Sequence, residues 1–155
     1  AYGGHVQSHI KNSKTDKKRE GDKDWYITAS KPDRPGGITY SSLTFDPPLK
    51  DNEVLISELD QGSTNDNLVQ CYLQKEPARK LTNLKKVPIL ILSAQASYHS
   101  PYDHGTSNFL NQAGVKHDFL RLEDRNIKGN GHMMMLEKNN HEIADCLLNW
   151  MHSKI

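Results

Sequence analysis

The longest apolar stretch in this chain is six residues, Val87-Pro-Ile-Leu-Ile-Leu92, bounded by Lys85-Lys86 before it and Ser93-Ala94 after it. That length and composition fit a strand buried on both faces, as in a parallel sheet. Broken by Pro88 and far too short to cross a bilayer, the run predicts no membrane span. The residues beyond it sort into recognisable elements. Thr106 to Ala113 reads as a short helix ended by Gly114, and His117 to Leu122 as a second strand. Asn139 or Asn140 then caps a final helix that runs to about His152, with Ile143, Leu147 and Trp150/Met151 on one face. Strand, helix, strand, loop and helix make one βαβ unit and a closing helix, so the expected class is α/β. Two parallel strands alone keep open edges and a face that needs cover. This region therefore reads as the end of something larger, or as a domain that needs a partner.

The first half of the chain offers little to complete such a sheet. Hydrophobic residues are 35% of the 155, against a usual share of about 45–50% that also counts glycine. From Lys11 to Asp24 there is no aliphatic or aromatic side chain. Such a stretch cannot bury enough surface to offset its ordering entropy, and it reads as a solvated loop or disordered segment. Prolines and paired glycines in 30–52 forbid a long helix and predict extended chain with turns. Around Leu68 to Leu73 a short helix is expected. The organisation expected is a polar segment at 1–30, an irregular cap-like segment at 31–79, and the ordered α/β part at 80–155.

Charge excludes one large class of partner. Lys and Arg number 20 against 19 Asp and Glu, so no overall field draws the chain to nucleic acid or anionic lipid. Within Lys11–Asp24 the acidic Asp16, Glu20, Asp22 and Asp24 interrupt the basic residues, which argues against a nucleic-acid patch. Two cysteines, Cys71 and Cys146, are too few for a disulfide-dense scaffold or a four-cysteine zinc site, and they leave one disulfide arithmetically open. The chain opens on Ala1, no charged-then-apolar leader follows, and the compartment stays open.

In open α/β sheets, ligands collect beyond the carboxyl ends of the strands, and two loops leave those ends here. The first is Ser93 to His104. The second, Glu123 to Glu137, carries His132 flanked by Gly129, Asn130 and Gly131. Such neighbours permit backbone conformations closed to most residues and let a histidine be presented sharply, where a general base is useful. A capping or packing histidine is the plainer reading of the same pattern. Met133, Met134 and Met135 read as core filling rather than a sulfur metal site.

These residues also carry a family resemblance. Gly129-Asn-Gly-His-Met-Met-Met-Leu-Glu-Lys-Asn-Asn140, followed by Glu142-Ile-Ala and Trp150, resembles the C-terminal end of α/β-hydrolases, and more narrowly of an esterase-like group. Ala96-Ser-Tyr-His-Ser-Pro-Tyr-Asp-His104, Phe109-Leu-Asn-Gln-Ala-Gly114, Arg34-Pro-Gly-Gly-Ile and Leu43-Thr-Phe-Asp-Pro-Pro48 are similar to the same group, so the match runs over roughly residues 31–155. The resemblance implies a Ser-His-acid triad acting on an ester-like small molecule without a cofactor. In it His132 takes the serine proton and later returns it to the leaving group. Nucleophile, acid and histidine follow in that chain order.

The acid and the nucleophile depart from the family's pattern. In many α/β-hydrolases the acid lies a few residues past the strand that Val87–Leu92 resembles, and here Ser97 occupies that place, with Gln95 at a nearby position often acidic in relatives. The next carboxylate is Asp103, the preferred partner of His132; its plainer reading is a cap on the following helix. Glu58 and Asp60 are weaker candidates on an earlier segment. No Gly-x-Ser-x-Gly elbow occurs, and Ser8, Ser13, Ser30 and Ser63 lie in contexts unlike one. Ala1-Tyr-Gly-Gly4 is a poor stand-in for an elbow, because polar chain follows it. The serine is therefore expected upstream of this chain, and the chain alone is expected to be inactive.

Two other readings compete. A metal site would use His99, Asp103, His104 and His132 as N/O ligands of the kind zinc accepts, although Pro101 breaks the helical register between His99 and Asp103. A non-catalytic remnant would keep the lobe as a binding or interaction module, associating through an exposed sheet edge.

Overall fold

The structure, a computed structural model, describes residues 44–50, 57–60, 68 and 71–154. The Lys11–Asp24 stretch, most of the Pro/Gly-rich segment, Ala1 to Gly4, and Ser8, Ser13, Ser30 and Ser63 lie outside the described residues. In chain order the strands are β1 (Ser57–Leu59), β2 (Tyr72–Gln74), β3 (Leu90–Ser93) and β4 (Asp118–Arg121); the helices are α1 (Asp103–Gln112) and α2 (Asn140–His152). Short 3₁₀ turns occupy Thr82–Leu84, Leu122–Arg125 and Met134–Leu136.

β3 and β4 pair in parallel, with Leu90 opposite Asp118, Ile91 opposite Phe119, Leu92 opposite Leu120 and Ser93 opposite Arg121. With α1 between them they form the expected βαβ unit, and α2 closes it. β3 is shorter than its apolar run. Val87 is half exposed and its N–H closes a turn on the Leu84 carbonyl. Pro88 has no N–H to give to a ladder, so pairing starts at Leu90. Leu90, Ile91 and Leu92 are half-buried rather than covered on both faces. β4 is half-buried along its length.

Where a helix was expected around Leu68 to Leu73, the described residues from Tyr72 onward form a strand. Tyr72–Gln74 pairs antiparallel with β1, Leu59 facing Tyr72 and Glu58 facing Leu73. The reason lies on α1. The Gln112 side chain accepts from the Gln74 N–H at 2.9 Å and donates to its carbonyl at 2.7 Å. One glutamine thus satisfies both backbone groups of Gln74 and holds it extended. The buried Gln74 side chain does the same for Arg79, donating to its carbonyl and accepting from its N–H, each at 3.0 Å.

Two apolar clusters hold the elements together. Phe45, Cys71, Leu81, Tyr102, Phe109, Ala113 and Val115 pack around α1 and β2, while Ala94, Leu122, Ile127 and Ile143 join α2 to β3 and β4. Leu92 and Leu120, opposite each other in register, pack on the second cluster with Met134 and Cys146. Cys71 and Cys146 thus belong to different clusters and do not form the disulfide. On α2 the inward face is Ile143, Cys146, Leu147 and Trp150, and Met151 is exposed. Of the three methionines read as core filling, Met134 alone packs; Met133 and Met135 are more than half exposed. Among the described residues no helix is long and apolar enough to cross a membrane.

Candidate functional site

Because β3 and β4 are parallel, the loops that follow them leave the same edge of the sheet, and backbone bonds stitch one to the other. Ala96 N–H donates to the Asn130 carbonyl at 2.9 Å, and Gly129 N–H to the Gln95 side chain at 3.0 Å. The first loop folds as successive tight turns. Ser97 N–H reaches the Ala94 carbonyl, and the His99 carbonyl accepts from both Tyr102 and Asp103 at 2.9 Å. That pair of hydrogen bonds restores the helical alignment that Pro101 was expected to break, and His99 Nδ1 lies 3.4 Å from Asp103 Oδ1. Asp103 is the first residue of α1 and makes no cap bond; the capping position belongs to Tyr102.

The second loop is pinned by a residue the sequence reading did not single out. Glu137 accepts from the Gly131 N–H through one oxygen and from the Asn130 amide through the other, both at 2.6 Å. Asn130, 1% exposed, also exchanges side-chain hydrogen bonds with Asn139 at 2.7 and 3.1 Å. Asn139 precedes α2 as expected, but it spends its side chain on this loop rather than on the helix. Of the residues flanking His132, Gly129 alone takes the left-handed backbone, at φ 79°. Asn130 is a buried hydrogen-bonding hub, not a conformational release.

His132 is held from two directions. Ser97 Oγ lies 3.3 Å from its Nδ1. The His99 ring stacks on it with centroids 4.5 Å apart and planes 11° from parallel. Tyr98 leans on both imidazoles at 4.4 and 4.6 Å, and Tyr102 lies 4.8 Å from His99. Among the described residues Nε2 has no partner. Burial and the neighbouring His99 push the His132 imidazole below the ordinary histidine value, against an upward pull from the Asp103 carboxylate.

Of the sequence candidates, then, the fold gathers His132, Ser97, His99 and Asp103 at one edge, with Asp103 reaching His132 through the stacked His99 and not by a direct bond. Neither earlier carboxylate bonds His132: Asp60 accepts from Asn108 at 2.6 Å, and Glu58 is exposed on β1. His104 turns toward Cys71, Nε2 to Sγ 3.7 Å. Among the described residues no three His, Cys, Asp or Glu side chains converge as metal ligands. Signals for Ser97 and Glu137 were present in the sequence, as the serine in the acid's usual place and as part of the matched run. Neither role was readable beforehand: Ser97 meets His132 only where the loops cross, and Glu137 acts by folding back on Asn130 and Gly131.

The described residues thus form a small α/β arrangement, with His132 beyond the carboxyl ends of two parallel strands. Over 123 residues the chain is 43% identical to a probable secreted lipase, phiG, of a fungal species (strain ATCC 74256). The alignment takes in 76% of this chain and 32% of that protein, so the chain spans about a third of the length of the curated relative it matches. No family model matches the chain, and no solved structure matches it.

Proposed function

We propose that this chain is the C-terminal segment of an α/β-hydrolase whose intact form cleaves an ester or similar acyl bond through a Ser-His-acid triad. The observation that carries the reading is His132 itself, on a loop clamped by Glu137 and Asn130, with Nδ1 engaged and Nε2 facing no described partner. Its likeness to a probable secreted lipase supports the same chemistry. Residues 80–155 are then the site-bearing part, and 31–79 a cap-like segment before it.

In this reading His132 Nε2 takes the proton of a serine supplied by the intact protein as that oxygen attacks the acyl carbon. It returns the proton to the leaving alcohol, and the cycle repeats with water to free the acid. Asp103 is the site's carboxylate. It pairs with His99 and favours the protonated form of His132 across the stacked ring as positive charge develops there. No cofactor enters the scheme.

The test is made in a protein of the relative's length that contains this segment. His132→Ala should lower kcat on p-nitrophenyl butyrate by about 10⁴-fold or more, the usual loss when a triad base is removed. The 155-residue chain alone should show no turnover of p-nitrophenyl acetate above buffer. Undiminished turnover by the His132→Ala protein overturns the reading.

A further inference from the structure

We propose that Ser97 is the positioning residue of the site: its hydroxyl oxygen accepts the Nδ1–H of His132 and so leaves Nε2 as the basic nitrogen. The inference deepens the hydrolase reading and rests on it for its catalytic consequence. Ser97 stands where the sequence resemblance places the triad's acid, and its Oγ, not the Asp103 carboxylate, is the atom against Nδ1, at 3.3 Å. The side chain is buried, 5% exposed, and its position is fixed from behind by the His99 N–H, which donates to Oγ at 3.1 Å.

A hydroxyl has two acceptor lone pairs and one proton. The His99 N–H uses one lone pair, and the other can face Nδ1. This arrangement serves both states a general base visits. In neutral histidine it selects the Nδ1–H tautomer, and in the imidazolium the same bond persists with no rearrangement. A hydroxyl donating to Nδ1 would favour the unreactive tautomer and would have to turn round on protonation. Because serine brings no negative charge, tautomer selection is separated here from charge stabilisation, which falls to Asp103 acting through His99.

The same geometry argues against Ser97 as the nucleophile. A triad serine faces Nε2 and is open to substrate. This one faces Nδ1, is buried, and has its oxygen occupied by a backbone N–H.

The experiment is ¹⁵N NMR of the 155-residue chain with labelled histidine, read at a pH where His132 is neutral. Wild type should show His132 mainly as Nδ1–H. Ser97→Ala should shrink that preference by about fivefold, the bias an ordinary net hydrogen bond imposes, with the amide spectrum otherwise retained. Ser97→Asp, whose ionised side chain can only accept, should keep His132 mainly as Nδ1–H, which a purely space-filling role would not predict, and its charge should also move the titration midpoint upward. Should Ser97→Ala fail to fold, Ser97→Cys keeps the shape with a weak acceptor and should lose the preference in the same way. A wild-type His132 that is mainly Nε2–H, an unchanged ratio in Ser97→Ala or Ser97→Cys, or fluorophosphonate labelling of Ser97 would each overturn the proposal. A wild-type His132 that is mainly Nε2–H, with turnover of the intact enzyme still abolished by His132→Ala, would sink this inference and leave the hydrolase reading standing; an Nδ1–H preference that depends on Ser97, with turnover undiminished by His132→Ala, would do the reverse.

Discussion

At the scale of single residues, the charge state of His132 is set by its neighbours. Partial burial and the facing His99 lower its proton affinity, and Asp103 raises it. The NMR titration midpoint of His132 should therefore fall below the ordinary value of 6.5. His99→Asn should raise it by removing the competing charge. Asp103→Asn should lower it further by removing the attractive one. The linkage has a definite sign. A histidine whose folded value is depressed gives its full stabilisation above its unfolded value and loses it as pH falls below about 6.5 toward the folded value. A midpoint unmoved by both substitutions would contradict the stacked arrangement. Ser97 and Asp103 illustrate what the sequence could and could not say at this scale. Their residue types and places were readable, but which of them touches Nδ1 depends on a turn in which the His99 carbonyl takes two N–H groups.

Between elements, packing is decided by a few close approaches. Gly105, in the first turn of α1, lies against Cys71 next to β2, and an added Cβ would run into Sγ and come within 2.8 Å of the Cys71 Cβ. Cys71 is fully buried, with its thiol pushed up to about 12, chiefly by that burial, and it has no room to yield. Gly105→Ala should therefore destabilise the fold by about 1–3 kcal/mol, the usual cost of overpacking. Urea unfolding checks this, and the double change Gly105→Ala with Cys71→Ala should recover part of the loss. Helices α1 and α2 and strands β3 and β4 were legible because periodicity and punctuation speak for them locally. β2 was not, because its extended form is imposed by Gln112, 38 residues away.

Across the whole molecule, the end of the chain is tied back to the sheet by one carboxylate. Asp118, at the start of β4, accepts from Lys154 and from the Trp150 indole, both at 2.7 Å, beyond and within the last turn of α2. These two partners, Lys154 foremost, hold its carboxyl below the ordinary value of 3.8. A depressed carboxyl stabilises the fold above its unfolded value and loses that contribution as pH falls through the folded one. Acid titration followed by Trp fluorescence should show the end of α2 loosening below about pH 4. Asp118→Asn should remove that phase while leaving unfolding near neutral pH little changed, since the pair is exposed and solvent-screened.

The local grammar was legible along the chain: an α/β unit from an apolar run, two loops beyond the strand ends of which the second is glycine-marked, an amphipathic helix, and a histidine on the loop where such folds place their chemistry. These features are short-range, written in the spacing of side chains along a few turns or strand residues. It took the tertiary pairing to join the two loops through Ala96–Asn130 and Gln95–Gly129, to set Ser97 against Nδ1, and to stack His99 between Asp103 and His132. Those contacts join residues up to 35 positions apart. Their partners are chosen by parallel pairing of β3 with β4, which brings both loops to one edge, and no local pattern encodes a bond across that gap.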